Sequence, residues 1–232
     1  AVAAVPATAG AVFRFDELIF AVTADVRGGN GTAPFLGLVK KRQPWIRPTL
    51  LEQTDIRSFQ IDFEQKLLSL SRHDLIPRST TAVSLVDLRG EQMQRGTGSP
   101  VSHYCARVKR LFANGEEVVL DRPTYAIADT GVTGILVSRE LYTDSSFEFG
   151  LVSCSIELET ESGDCAVVES DVNVCRRDCL LVARPVEVSQ WYENLPSDGG
   201  GKPPHVLFFG LAFMLPRSSL TVDIDSGRML IA

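Results

Sequence analysis

The sequence predicts a mostly β protein with a few short helices. Three observations carry that prediction. Short runs rich in β-branched and aromatic residues recur along the chain, Gly, Pro and Asn divide them, and segments with helical spacing are rare. Of the 232 residues, 44% are hydrophobic, enough to bury a sizeable core in one large domain or two smaller lobes.

Taken in order, "RPTLLEQTD" (Arg47–Asp55) has Pro near its start and one turn of apolar spacing, which predicts a short helix. "AVSLVDL" (Ala82–Leu88) reads as a strand. "RVKRLFA" and "EEVVL" (Glu116–Leu120) flank Asn114-Gly115. These two residues adopt the positive φ of a tight hairpin turn most readily. "AIAD" and "GILVS" read as strands, and Ser138 is placed to cap a short helix through "SRELYTDSS", with Leu141 and Tyr142 behind it. "CAVVES", "CLLVARPVEV", "HVLFFGLAFML" and "SLTVDI" complete the strands. Asp225-Ser226-Gly227 predicts the turn of a closing hairpin with "RMLIA", and the Gly- and Pro-rich stretch Asn194–Pro204 predicts a loop without regular structure.

Acidic residues number 29 against 23 basic, a net charge of −6, which argues against a general nucleic-acid binder. Lys40-Lys41-Arg42 reads as a solvated loop. No apolar run is long enough to span a bilayer. The opening "AVAAVPATAGAV" lacks a basic region and does not read as a signal peptide. Of the five cysteines, Cys105 reads as a buried thiol, and the others are Cys154, Cys165, Cys175 and Cys179. Zinc sites want tight Cys-x-x-Cys pairs, and the closest spacing here is Cys175-x-x-x-Cys179, so disulfides in an oxidising compartment are favoured, with three connectivities open. The sequon Asn30-Gly31-Thr32 points the same way, to a secretory, vacuolar or lysosomal setting. His73, His103 and His205 are isolated and read as surface or structural residues. No metal, cofactor or Ser/His/Asp triad is expected.

The stretch "YAIADTGVTGILVS" has a mechanical meaning. A carboxylate on a tight turn after a strand, followed by Thr and Gly, is presented where backbone amides can approach. Thr130 can hydrogen-bond back into the turn and Gly131 lets the chain turn closely. The stretch resembles the second active-site motif of pepsin-like aspartic peptidases. "PFLGLV", "TLLEQTDIRSFQIDF", "HYCARVKRLFANGEEV" and "HVLFFGLAFMLPRSSLTVDIDSGRMLIA" resemble further segments of that family in the same order, from about Val12 to Ala232.

The resemblance implies a pepsin-like bilobal β fold with an incomplete first lobe, residues 1–108, and a complete second lobe, residues 109–232. In particular it is similar to the heavy chain of a two-chain cathepsin D-like enzyme. It implies that Asp129 is catalytic, that Gly131 and Val132 line the cleft, and that Ile127, Thr130, Phe208 and Gly210 support the motif. It also implies a bridge from Cys154 to Cys179 or Cys175. The family needs two such aspartates, because adjacent carboxyls share one proton and polarise one water. The other motif is not found here, since Asp225-Ser226-Gly227 has the letters but sits in a hairpin turn. Val132 replaces the usual hydroxyl residue, Leu211 the usual acidic residue, and Ala33-Pro34 the usual Asp-Gly. Two readings follow. In one, this chain is half of an endopeptidase and a separate chain supplies the second Asp-Thr/Ser-Gly and completes the first lobe. In the other, it is an inactive pseudopeptidase serving as a structural or binding subunit of a larger assembly. A homodimer supplying both aspartates ranks below these, because the stretch from Asp129 to Gly210 is long.

Overall fold

The computed structural model describes residues 48–86, 105–143, 151–175, 183–186 and 204–232, together with Leu38, Lys40 and Phe147. Its strands are β1 (Ser58–Asp62), β2 (Leu67–Ser71), β3 (Val83–Val86), β4 (Cys105–Ala113), β5 (Glu116–Glu117), β6 (Thr124–Ala128), β7 (Ile135–Ser138), β8 (Cys154–Glu159), β9 (Cys165–Glu169), β10 (Ala183–Val186), β11 (His205–Phe209), β12 (Ser219–Asp223) and β13 (Arg228–Ile231). They join into one mixed sheet in the order β10-β7-β11-β6-β4-β3-β13-β12-β1-β2, with β5 and β8 also paired to β4, and β9 to β8. The pairs β10–β7 and β11–β6 are parallel and the others antiparallel.

β4 ties the molecule together. Cys105, Ala106, Val108, Leu111 and Ala113 turn inward while Arg107, Lys109 and Arg110 face out. Cys105–Arg107 pair with β6 and the strand from Val108 to Ala113 pairs with β8, and within the β8 pairing the register slips between Val108 and Arg110. An extra residue at such a point bends a strand and increases its twist. β4 crosses the 108/109 position, and the C-terminal hairpin pairs with β1 on one side and β3 on the other.

The two turns read from sequence are in place. Asn114 and Gly115 take φ of 54° and 83° between β4 and β5, and Gly227 takes φ of 67° between β12 and β13. "EEVVL" forms only the two residues of β5. Beyond them Val118 turns into the core, its N–H donating to Leu111 O at 2.8 Å. β2 and β8 are strands that the alternation did not single out.

Helical structure is short. A 3-10 turn at Leu51–Gln53 stands where a helix was expected. There Thr49 N–H donates to Glu52 Oε2 at 2.8 Å and Glu52 N–H to Thr49 Oγ1 at 3.4 Å, a reciprocal cap. α1 (Arg139–Thr143) follows β7 as expected, but the hydroxyl of Ser138 faces His205. "HVLFFGLAFML" is not one strand. It breaks at Gly210, and α2 (Leu211–Met214) follows, burying Ala212, Phe213 and Met214. The main core gathers Leu51, Phe59, Leu111, Phe147, Ile156 and Phe209 among others, with Phe209 and Phe213 edge to face at 5.9 Å.

Candidate functional site

β6 ends at Ala128 and β7 begins at Ile135, yet the two are not neighbours, because β11 lies between them. β11 runs parallel to β6, with Phe208 opposite Ile127 and Phe209 opposite Ala128, and antiparallel to β7, with Phe209 opposite Ile135. The turn from Asp129 to Gly134 therefore crosses the end of β11, and backbone hydrogen bonds pin it there. Asp129 N–H donates to Phe209 O at 3.0 Å. Gly210, Leu211 and Ala212 N–H donate to Gly134 O, Val132 O and Thr133 O, each at 2.8 Å.

This crossing leaves no room at Gly210. A Cβ there would lie 2.0 Å from Val132 O and 2.9 Å from Gly134 O, so only glycine lets the two backbones approach. Gly131, by contrast, is exposed, and its φ is not in the left-handed region.

Asp129 is half-buried. Its Oδ1 accepts the Gly131 N–H at 2.8 Å and its carbonyl accepts the Val132 N–H at 3.1 Å, so the side chain and the turn fix each other. Thr130 is exposed and Val132 half-buried beside it. Ile127 and Phe208 pack below with Cys105, Val206, Val86 and Tyr125 in a small apolar cluster separate from the main core. The result is a carboxylate held on a tight turn at the end of a strand. It can accept a proton or hydrogen bonds from water or from a bound polar group.

Asp225, the other Asp-x-Gly carboxylate, belongs to the β12–β13 turn. β4 and β3 stand between that hairpin and β6 in the sheet, and Asp225 is paired with Lys40 and Arg57, each at 3.6 Å.

One cluster went unread in the sequence. His205, buried at the start of β11, meets Ser138 Oγ through Nδ1 at 2.8 Å and Asp121 Oδ1 through Nε2 at 3.0 Å. It is therefore not isolated. The partners lie 67 and 84 positions away, beyond any local pattern. Burial pushes the His205 pKa down and Arg122 adds to this, while Asp121 opposes it. Asp121 sits below the usual carboxylate range, chiefly through its hydrogen bond from Arg122. Ser138 is itself buried, so its hydroxyl is closed to a substrate.

Cys154 is a buried free thiol, so the bridge expected from it to Cys179 or Cys175 is not formed in this structure, and burial pushes the thiol up to about 12. The Cys154 side chain packs inside the main core. Cys179 and Asn30 lie outside the described residues, and Cys165 is an exposed free thiol. Among the described residues no group of three or more His, Cys, Asp or Glu could hold a metal ion. No helix among them is long and apolar enough to cross a membrane. No family model and no curated protein matches the chain.

Proposed function

We propose that this chain is one part of a pepsin-like aspartic endopeptidase and contributes a single catalytic aspartate, Asp129. The observation that carries the proposal is the crossing of β11 between β6 and β7, which holds the Asp-Thr-Gly turn rigidly by four backbone hydrogen bonds. A separate chain would supply the second Asp-Thr/Ser-Gly. One carboxyl of the pair would hold the proton while the other, ionised, draws a proton from a shared water as it attacks the peptide carbonyl. Gly131 and Val132 would face the bound peptide. The glycan at Asn30 belongs to the same proposal, as does a secretory, vacuolar or lysosomal compartment.

The experiment is native purification from source with intact mass of every co-purifying chain, followed by an acid-pH assay on an unfolded protein. A partner carrying its own Asp-Thr/Ser-Gly is expected. Asp129→Asn in the complex is then expected to slow cleavage by roughly a hundred- to ten-thousand-fold. If Asp129→Asn cleaves as fast as the native complex, the proposal fails. If the partner chains carry no such aspartate, the fold serves as an inactive scaffold inside a larger assembly. Val132, where the family places a hydroxyl, favours that second reading.

A further inference from the structure

We infer that Ser138, His205 and Asp121 form a proton-responsive tie across the three strands of the crossing, which loosens the Asp129 turn at the opposite strand ends when His205 gains a proton. The inference rests on geometry distinct from Asp129 and holds whether or not the chain is a peptidase.

The strand directions give the tie its reach. β11 runs from His205 to Phe209, and Phe209 O receives the Asp129 N–H. At its start, His205 N–H donates to Pro123 O at 2.9 Å just before β6, and the ring touches Ser138 at the end of β7. His205 therefore fastens the middle strand to β7 and to the segment leading into β6, at the end away from the turn. β11 is short, so a shift at its start is carried to Phe209 and Gly210, where the packing against Val132 and Gly134 has no slack.

The hydrogen bonds choose a protonation state. An ionised Asp121 only accepts, so Nε2–H donates to it, and Nδ1 is left to accept the Ser138 hydroxyl proton. In the imidazolium both ring nitrogens donate. Ser138 must then turn its proton away and find another acceptor within a buried site. The charged groups facing the ring are Asp121 and Arg122, from the segment before β6, and Glu140 on α1. Asp121 and Glu140 favour the added charge, whereas burial and the Arg122 guanidinium oppose it. Arg122 is fixed in place by Asp121 at 3.1 Å and by a hydrogen bond to Glu140.

The balance sets the sign. The ordinary histidine value is 6.5 and that of the folded ring lies below it, so the opened chain binds the proton first as pH falls through 6.5. Opening therefore becomes easier with acid, by at most about tenfold per pH unit, the limit for one proton. Once pH drops below the folded value the effect levels off.

The experiment is amide hydrogen exchange on the full chain between about pH 7.5 and about pH 5.5, where histidine is the main titrating side chain. Rates are corrected for intrinsic exchange and read at Asp129, Gly210 and Leu211. The expected result is protection that falls with pH in the native chain and stays flat in His205→Gln. Protection independent of pH in the native chain, or an equal slope in His205→Gln, overturns the proposal. The ring titration of the unaltered chain, followed by NMR, gives a test that needs no variant. His205 titrating below the ordinary histidine value of 6.5 supports the tie, and titration at or above that value overturns it.

Discussion

Gly210 shows how a single absent methyl can decide a site. Its neighbours are backbone carbonyls of Val132 and Gly134, which cannot swing aside as a flexible side chain would. Gly210→Ala is expected to destabilise the chain by about 3 kcal/mol, the upper end for overpacking, with a lower midpoint in urea unfolding. An unchanged midpoint would mean that the two backbones are not in contact there. The letters Asp129-Thr130-Gly131 drew attention in the sequence because they are adjacent, and Asp129 does sit on the turn they predicted. The demand for glycine, however, falls on a residue far along the chain. No pattern within the motif could show that, because the crowding comes from two segments meeting in space.

At the scale of elements, the C-terminal hairpin grips a loop. Asp223 is fully buried and accepts the Leu75 and Ile76 N–H groups at 2.8 and 3.0 Å. Arg228, opposite it in the hairpin, donates to Ile76 O at 3.0 Å, to Thr80 O at 2.8 Å and to Glu161 at 2.8 Å. Asp223→Ala would leave two backbone donors without their acceptor and is expected to cost roughly 3 kcal/mol. Limited proteolysis should then cut first within Leu75–Thr80, and an uncut loop would show that Asp223 does not hold it. The hairpin turns at Asn114-Gly115 and Asp225-Ser226-Gly227 were legible because two or three residues decide them locally. The break at Gly210 was not, since an unbroken apolar run reads alike as strand or buried helix. Ser138 illustrates the same limit. Its position before α1 suited a cap, but a histidine from a distant strand claims the hydroxyl.

At the scale of the whole molecule, the mostly β character could be read from the alternation, whereas the strand order could not, because pairing partners come from opposite ends of the chain. The thiols offer a test of the packing that results. Cys154 is sealed in the core and held up at about 12, while Cys165 is exposed on β9. Brief alkylation of the native chain at mildly alkaline pH is expected to label Cys165 and to spare Cys154 until denaturant is added, as read by peptide mass. Labelling of Cys154 in the native chain would contradict the packing around β8.

The strand threaded between β6 and β7 also constrains the order in which the molecule can be assembled. β6, the Asp129 turn and β7 are made consecutively, but the strand that separates and fastens them is supplied much later in the chain. Until His205–Phe209 arrives, β6 and β7 must remain apart and unpaired at that face, since direct pairing between them would close the gap β11 has to enter. Non-local pairing of this kind is slow, because a long loop must close before any contact rewards it. A ribosome-bound chain ending before β11 would therefore carry Asp129 without its cradle.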